Sequence, residues 1–317
     1  MSLASITGLI VGIGYGYIAQ RGAFCMNSGF RVVVTERNTT KVKAYALAIA
    51  LQMLLVPLVF ALGVSSPTYP AMFPVGAILG GMLFGASMRW AGGCAAGAWY
   101  KIGAGSLGAL AAVLGMAIGA AALEIGPLVG LRAAVQAAGP SIGSAPFAAA
   151  WVLGPVAGAL TVLLLWRAAP GQAGSWSWRR TGVAMGLLGV VAWPLSSLAE
   201  RDFGMAVIPG TVTLLAEPLV RLLNWDVLFV LGIPIGGFLA ARQSGPVTAS
   251  KVSTASAAKH FAGGLGLGAG ASLAAGCTVG HGLTGVPLLA PGSILAILSI
   301  FAGSAITSLW SGRRSSV

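Results

Sequence analysis

The chain has 317 residues, of which 57% are hydrophobic and only 8% charged. A soluble globular chain carries about 25% charged residues, so this one cannot cover a water-exposed surface and lipid must be its main solvent. The net charge of +12 would suggest nucleic acid in a soluble protein, but in a membrane protein it reads as Lys and Arg gathered in cytoplasmic loops, with no nucleic-acid partner.

A membrane span needs about 20 mostly apolar residues. In chain order nine segments qualify, at 3–20, 43–63, 72–90, 106–124, 148–167, 180–199, 224–241, 259–273 and 293–310. The expected fold is therefore all-α: a single polytopic transmembrane domain over 1–317 with about nine transmembrane helices. Met1 to Ile10 carries no basic residue, so no cleavable signal is expected. Between the fifth and sixth segments, Trp176 and Trp178 beside Arg179 and Arg180 read as interfacial anchors. The eighth segment holds Gly263, Gly264, Gly266, Gly268 and Gly270 and reads as a broken or half-length helix.

The basic residues orient these segments. With the N-terminus outside, nine spans place Arg21, Arg31, Arg37, Lys41, Lys43, Arg89, Lys101 and eight further Lys and Arg on the inner side. Only Arg132, Arg201 and Arg221 fall outside. Five of the six acids, Glu124, Glu200, Asp202, Glu217 and Asp226, lie on or near the outer face. This asymmetry predicts a periplasmic N-terminus and a cytoplasmic C-terminus.

The chain also repeats itself. Gly80-Gly81, Gly85, Gly93-Cys94 and Gly97 recur as Gly263-Gly264, Gly268, Gly276-Cys277 and Gly280 at a shift of 183 positions. Arg21 and Arg201 follow the first span of each half at a shift of 180. Repeat one then covers about 3–124, a linking helix about 148–167, and repeat two about 180–310. Four spans plus one is odd, so the second repeat enters the membrane upside down. Inverted repeats are a transporter architecture, with the working site where they meet near the midplane.

Two glycine-flanked cysteines occupy matching places, Cys94 beside Gly93 and Cys277 beside Gly276. Both fall between spans in segments too apolar for a wet loop, so each reads as a re-entrant segment. Non-helical backbone at membrane depth survives only when buried in protein or lining a cavity. In the predicted topology Cys94 enters from inside and Cys277 from outside, and the symmetry brings them together. The third cysteine, Cys25, follows the first span, and at the same shift as Arg201 it meets Met205.

The segments RGAFCMNSGFR, GGCAAGAWYKIGAG and AAGCTVGHGLTG resemble the YeeE/YedE family of sulfur-transport membrane proteins, over nearly the whole chain. The resemblance implies uptake of thiosulfate across the bacterial inner membrane through an hourglass-shaped protein. It implies a substrate path lined by Cys25, Cys94 and Cys277. It further implies a separate cytoplasmic partner of the TusA sulfur-carrier type, because the chain ends at Val317 without one fused.

Elementary chemistry supplies a mechanism beside that resemblance. A dianion is costly in hydrocarbon unless something replaces its water. Backbone N–H groups at the starts of half-helices carry partial positive charge and bind anions, and the glycines let backbone approach. Neutral thiols add weak donation to a soft sulfur anion, whereas a thiolate would repel it. Arg89 and Lys101 flank the first re-entrant segment and are expected towards its inner mouth.

His281 lies four residues beyond Cys277, a spacing that suits either a hydrogen-bonding residue or one metal ligand. No cofactor is expected and no phosphate-binding loop motif is present, so the chain is read as a transporter and not as an enzyme. Two alternatives share the residues: another sulfur- or selenium-containing anion by the same route, or a membrane sulfurtransferase acting at Cys94.

Overall fold

The computed structural model describes residues 3–69, 72–140, 150–216 and 223–314. Glu217 and Arg221, and the first two residues of the expected linking segment, lie outside these ranges. Among the described residues there are α-helices, short 3₁₀ turns and one π-helical segment, with no β-strand.

Each of the nine apolar segments coincides with a helix. The first half contains α1 (Ile6–Arg21), α2 (Met26–Glu36), α3 (Thr40–Ala61), α4 (Pro74–Ala91), α5 (Ala95–Gly103) and α6 (Leu107–Glu124). Then come α7 (Val129–Ala137) and α8 (Ala150–Arg167). The second half contains α9 (Trp178–Ser197), α10 (Ile208–Ala216), α11 (Trp225–Arg242) and α12 (Thr254–Ala274). It closes with a π-helical segment (Thr278–Gly285) and α13 (Pro291–Arg314). Five of these, α3, α6, α8, α11 and α13, are each long and apolar enough to cross a bilayer. A sixth crossing is available if α12 and the stretch after it, bent by 40°, count as one. The protein is a multi-pass membrane protein.

The eighth apolar segment corrects its sequence reading. It is neither broken nor half-length: α12 runs unbroken for 21 residues. Its glycines sit where neighbouring backbones press in. A Cβ at Gly263 would meet the Trp90–Ala91 backbone, one at Gly264 or Gly268 the α6 carbonyls of Ala112 or Met116, and one at Gly270 the α4 backbone near Phe84. Close helix packing, and not a break, is what these glycines provide. The same device joins α1 to α11, where a Cβ at Gly12, Gly16 or Gly236 would overlap a facing carbonyl oxygen.

Helix partners follow a pattern. α1 packs on α11 as α9 packs on α3; α6 packs on α12 as α13 packs on α4. The short helices obey it too, with α2 against α13 and α10 against α6. Helix α8 stands apart on α3 and leaves Val152, Leu160, Leu163 and Leu164 more than half exposed, as a lipid-facing helix does. Trp178 is no interfacial anchor: it is buried, and its indole N–H donates to the Ala169 carbonyl. Trp176 keeps the expected company, with Arg180 stacked 4.1 Å above its ring.

Candidate functional site

Helix starts differ in their caps: the long helices α1, α3 and α4 begin without a side-chain cap hydrogen bond, and others begin with one. Helices α6, α9, α11 and α12 start at Ser106, Ser177, Asn224 and Ser253, whose side-chain oxygens accept from amides in the first turn. Those oxygens satisfy donors that every helix start leaves open. Helices α2 and α5 and the π segment start instead at Cys25, Cys94 and Cys277, and none of the three makes a side-chain cap hydrogen bond. Some amides near these starts have a cysteine sulfur as acceptor in place of an oxygen. The Met26 and Gly97 amides point at the Cys94 sulfur, and the Val207, Val279 and Gly280 amides point at that of Cys277.

The fold brings these caps together. Cys25 Sγ lies 3.9 Å from Cys94 Sγ, and all three cysteines, unbonded to each other, share one buried cluster. They are 2%, 2% and 1% exposed, so all three thiols are buried. Gly97 fits into this cluster only as glycine: a Cβ there would stand 2.6 Å from Cys25 Sγ and 3.2 Å from Cys94 Sγ.

Three tyrosines that the sequence reading passed over complete the surroundings. Tyr15 on α1 neighbours all three cysteines, Tyr45 on α3 neighbours Cys94 and Cys277, and the Tyr100 hydroxyl on α5 faces the Cys25 sulfur. The Tyr45 hydroxyl also donates to the Thr278 carbonyl at 2.5 Å, pinning the residue after Cys277. A tyrosine at mid-span, away from the interfacial belt where it usually sits, was the signal available for Tyr15.

Around Cys277 the segment is stapled by His281. Its Nε2 lies 2.9 Å from the Ala274 carbonyl and its Nδ1 3.0 Å from the Ser293 hydroxyl. A carbonyl only accepts, so Nε2 carries the proton and Nδ1 accepts from Ser293. With both nitrogens engaged, His281 acts as a tie between the end of α12, the π segment and α13. Gly276 must be glycine beneath it, since a Cβ would meet the ring at 2.8 Å. Among the described residues no three His, Cys, Asp or Glu side chains converge as a metal site would need. In the first half the corresponding tie is made by Lys101, whose Nζ donates to the Gly92 carbonyl at 2.6 Å.

Met205 is fully buried in the same cluster, and its carbonyl accepts from Thr284. The amide after Cys25 faces Cys94, while the amide after Ala206 faces Cys277. In the second half, Ala206 thus takes the place of Cys25, with Met205 one residue before it. Gly93 sits buried beside Cys94.

Two cavities flank the cluster. One, of about 370 Å³, is lined by Phe203, Val207, Val212, Ala271, Cys277 and His281, with the Arg132–Glu124 ion pair at 2.8 Å on its wall. The other, of about 330 Å³, is lined by Asn27, Ser28, Arg31, Arg89, Lys101 and Lys259. Lys259 and Ala275, on the two linings, stand at opposite ends of α12, about 24 Å apart at 1.5 Å per residue. Cys277 lines the first of these cavities, and Cys25 and Cys94 lie in the buried cluster beside it.

The comparisons with known proteins agree with one another. The family described as sulphur transport matches residues 21–306. A thiosulfate transporter, TsuA of Spirochaeta thermophila, is 33% identical over 325 aligned positions, covering 94% of this chain and 96% of that one. The thiosulfate transporter TsuA of Escherichia coli is 30% identical, covering 88% of this chain and 86% of its own.

Proposed function

The chain belongs to the sulphur-transport family, and from that premise we propose that it takes up thiosulfate across the bacterial inner membrane through the neck formed by Cys25, Cys94 and Cys277. It is a transporter and not an enzyme. The observation that carries the cysteine path is the gathering of three half-helix starts, each with a cysteine and no oxygen cap, beside two cavities towards opposite ends of one helix.

The mechanism follows from the donors. Thiosulfate brings two negative charges and a soft terminal sulfur. In the neck, the amides at the starts of α2, α5 and the π segment replace its water, and Tyr and Cys side chains add further donors. None of these donors is a full charge, so the anion is held weakly at several places. That suits passage, because a solute bound tightly does not leave. Cys277 meets the first cavity while Cys25 and Cys94 line neither, so passage requires small movements of the short helices.

Nine crossings in two inverted repeats are our topology, with the N-terminus periplasmic and the C-terminus cytoplasmic. The exchange of partners between α1·α11 and α9·α3, and between α6·α12 and α13·α4, supports the two-fold duplication, and the odd number of spans separating the halves makes it inverted. The cavity with Arg31, Arg89, Lys101 and Lys259 then faces the cytoplasm, in keeping with the positive-inside rule. A TusA-type sulfur carrier is the partner expected at that mouth.

The direct test is growth. A bacterium lacking its own sulfur-uptake systems, supplied with this chain, should grow on thiosulfate as sole sulfur source, and Cys94→Ala at equal membrane abundance should not. Rescue on another sulfur or selenium anion without rescue on thiosulfate would replace the substrate and keep the path.

A further inference from the structure

The cavity at the α2–α5 end is more than a mouth. Arg31, Arg89, Lys101 and Lys259 line it together with the polar Asn27 and Ser28. Lys41 stands behind them, its Nζ donating to Ser28 Oγ at 2.8 Å and its charge within reach of Arg31 and Lys101, with Glu36 as the carboxylate near it. Among the described residues the ion pairs are Arg132–Glu124 and Arg201–Asp226, and no carboxylate lines this cavity. Arg31, Lys41, Arg89 and Lys101 are each only partly exposed.

Half-buried cations that repel one another are held at a cost unless a counter-charge joins them. Residues that serve only to orient a protein in the membrane need no cavity and are usually spread over its inner face. Here four of them converge on a hollow large enough for a small oxyanion and several waters. Cys25 and Arg31 are on or next to the same half-helix, as are Cys94 and Lys101, so the cations stand about 10 Å from the thiols along the helix axes. The cavity on the other side has one Arg, already matched by Glu124. The two ends of the hourglass therefore differ sharply in charge.

We propose that this cavity is a second anion site, which takes a doubly charged tetrahedral sulfur oxyanion after it has passed the cysteine neck and holds it at the inner face. The ligand class rests on the function proposed above. Arg31 and Arg89 supply paired N–H donors suited to such an anion, and Lys101 serves twice, as donor to Gly92 and as charge for the ligand. Held there, the anion is kept from returning through a neck that offers only weak partial charges.

Inorganic sulfate is the probe, and full-length protein with Cys25, Cys94 and Cys277 all changed to Ala removes the neck from the measurement. Equilibrium dialysis with radiolabelled sulfate in neutral-lipid nanodiscs should find saturable binding that weakens steeply with added chloride. The double variant Arg31→Gln/Arg89→Gln on that background should bind at least about tenfold more weakly. Arg31→Lys/Arg89→Lys keeps the charge but loses the paired donors, so its affinity should fall between the parent and the double Gln variant, which separates charge from folding. Lys259→Gln, on the exposed rim, should give a smaller loss in a protein whose packing is untouched. Absence of saturable binding, or equal binding by the double Gln variant, overturns the proposal. Nanodiscs rich in phosphatidylglycerol distinguish a lipid headgroup as the source of the oxyanion. Sulfate affinity lowered only by the few-fold that surface potential causes supports a free anion, and abolished binding assigns the cavity to lipid. Because neither thiosulfate nor transport enters the measurement, its failure is distinct from failure of the uptake reading.

Discussion

At the scale of single residues, the site depends on which atoms cap the short helices. Serine or asparagine at the same positions would satisfy the first amides from within, as Ser106 and Ser253 do elsewhere. In the proposed path cysteine leaves those amides to the anion, because sulfur is a weak acceptor. Cys94→Ser is therefore expected to keep the fold but lower uptake at least about tenfold, in proportion to about 1.4 kcal/mol of competing self-capping. Uptake equal to wild type in that variant would remove capping from the account. Gly97→Ala tests the crowding beside the sulfurs: its methyl would sit 2.6 Å from Cys25 Sγ, so uptake should fall while helical content stays. The cysteines and their glycines were legible in the sequence because they repeat in register. Tyr15, Tyr45 and Tyr100 were not, because they come from three different helices and only packing brings them to the sulfurs.

At the scale of elements, two ties hold the short segments at the neck. His281→Ala removes two buried hydrogen bonds and should destabilise the protein by about 1–3 kcal/mol per group left unpaired. A thermal-unfolding scan in detergent reads that effect, and an unchanged midpoint would mean His281 is not a staple. The glycine seam between α1 and α11 makes a parallel case. Gly16→Ala puts a methyl into the Ile233 carbonyl oxygen and should cost about 1–3 kcal/mol of the same stability. Helix positions were readable because apolar segments of span length are rare outside membranes. What glycine does inside α12 was not, since the same residues that break a helix in isolation serve a close crossing once α4 and α6 are in place. Likewise Trp178 looked interfacial beside two arginines, but its indole turns inward to Ala169.

At the scale of the whole molecule, the two cavities have unlike linings. The first reaches Cys277 and holds one Arg–Glu pair, and the second is lined by four cations and no carboxylate. The proposed sidedness can be read without transport. On a cysteine-free background, Thr213→Cys, on the first cavity, should react with a membrane-impermeant maleimide from the periplasmic side. Lys259→Cys, on the second, should react only after the membrane is opened. Labelling of both from one side would contradict the inverted-repeat topology. The charge asymmetry of the loops and the duplication are what suggest this plan in the sequence, because both are one-dimensional patterns. The concentration of Arg31, Arg89, Lys101 and Lys259 into one hollow was only partly visible. Arg89 and Lys101 flank one segment in sequence, whereas Arg31 and Lys259 arrive there through α2 and α12.

The central claim is that thiosulfate crosses at the cysteines. The measurement that tests it most directly is the initial rate of radiolabelled thiosulfate uptake into vesicles containing purified wild type or Cys94→Ala, matched for protein incorporated. The account predicts saturable uptake by wild type and a rate at least about tenfold lower for Cys94→Ala, equivalent to losing about 1.4 kcal/mol or more of stabilisation in the neck. Equal rates for the two would contradict it and leave the cysteines as packing residues in a path that runs elsewhere.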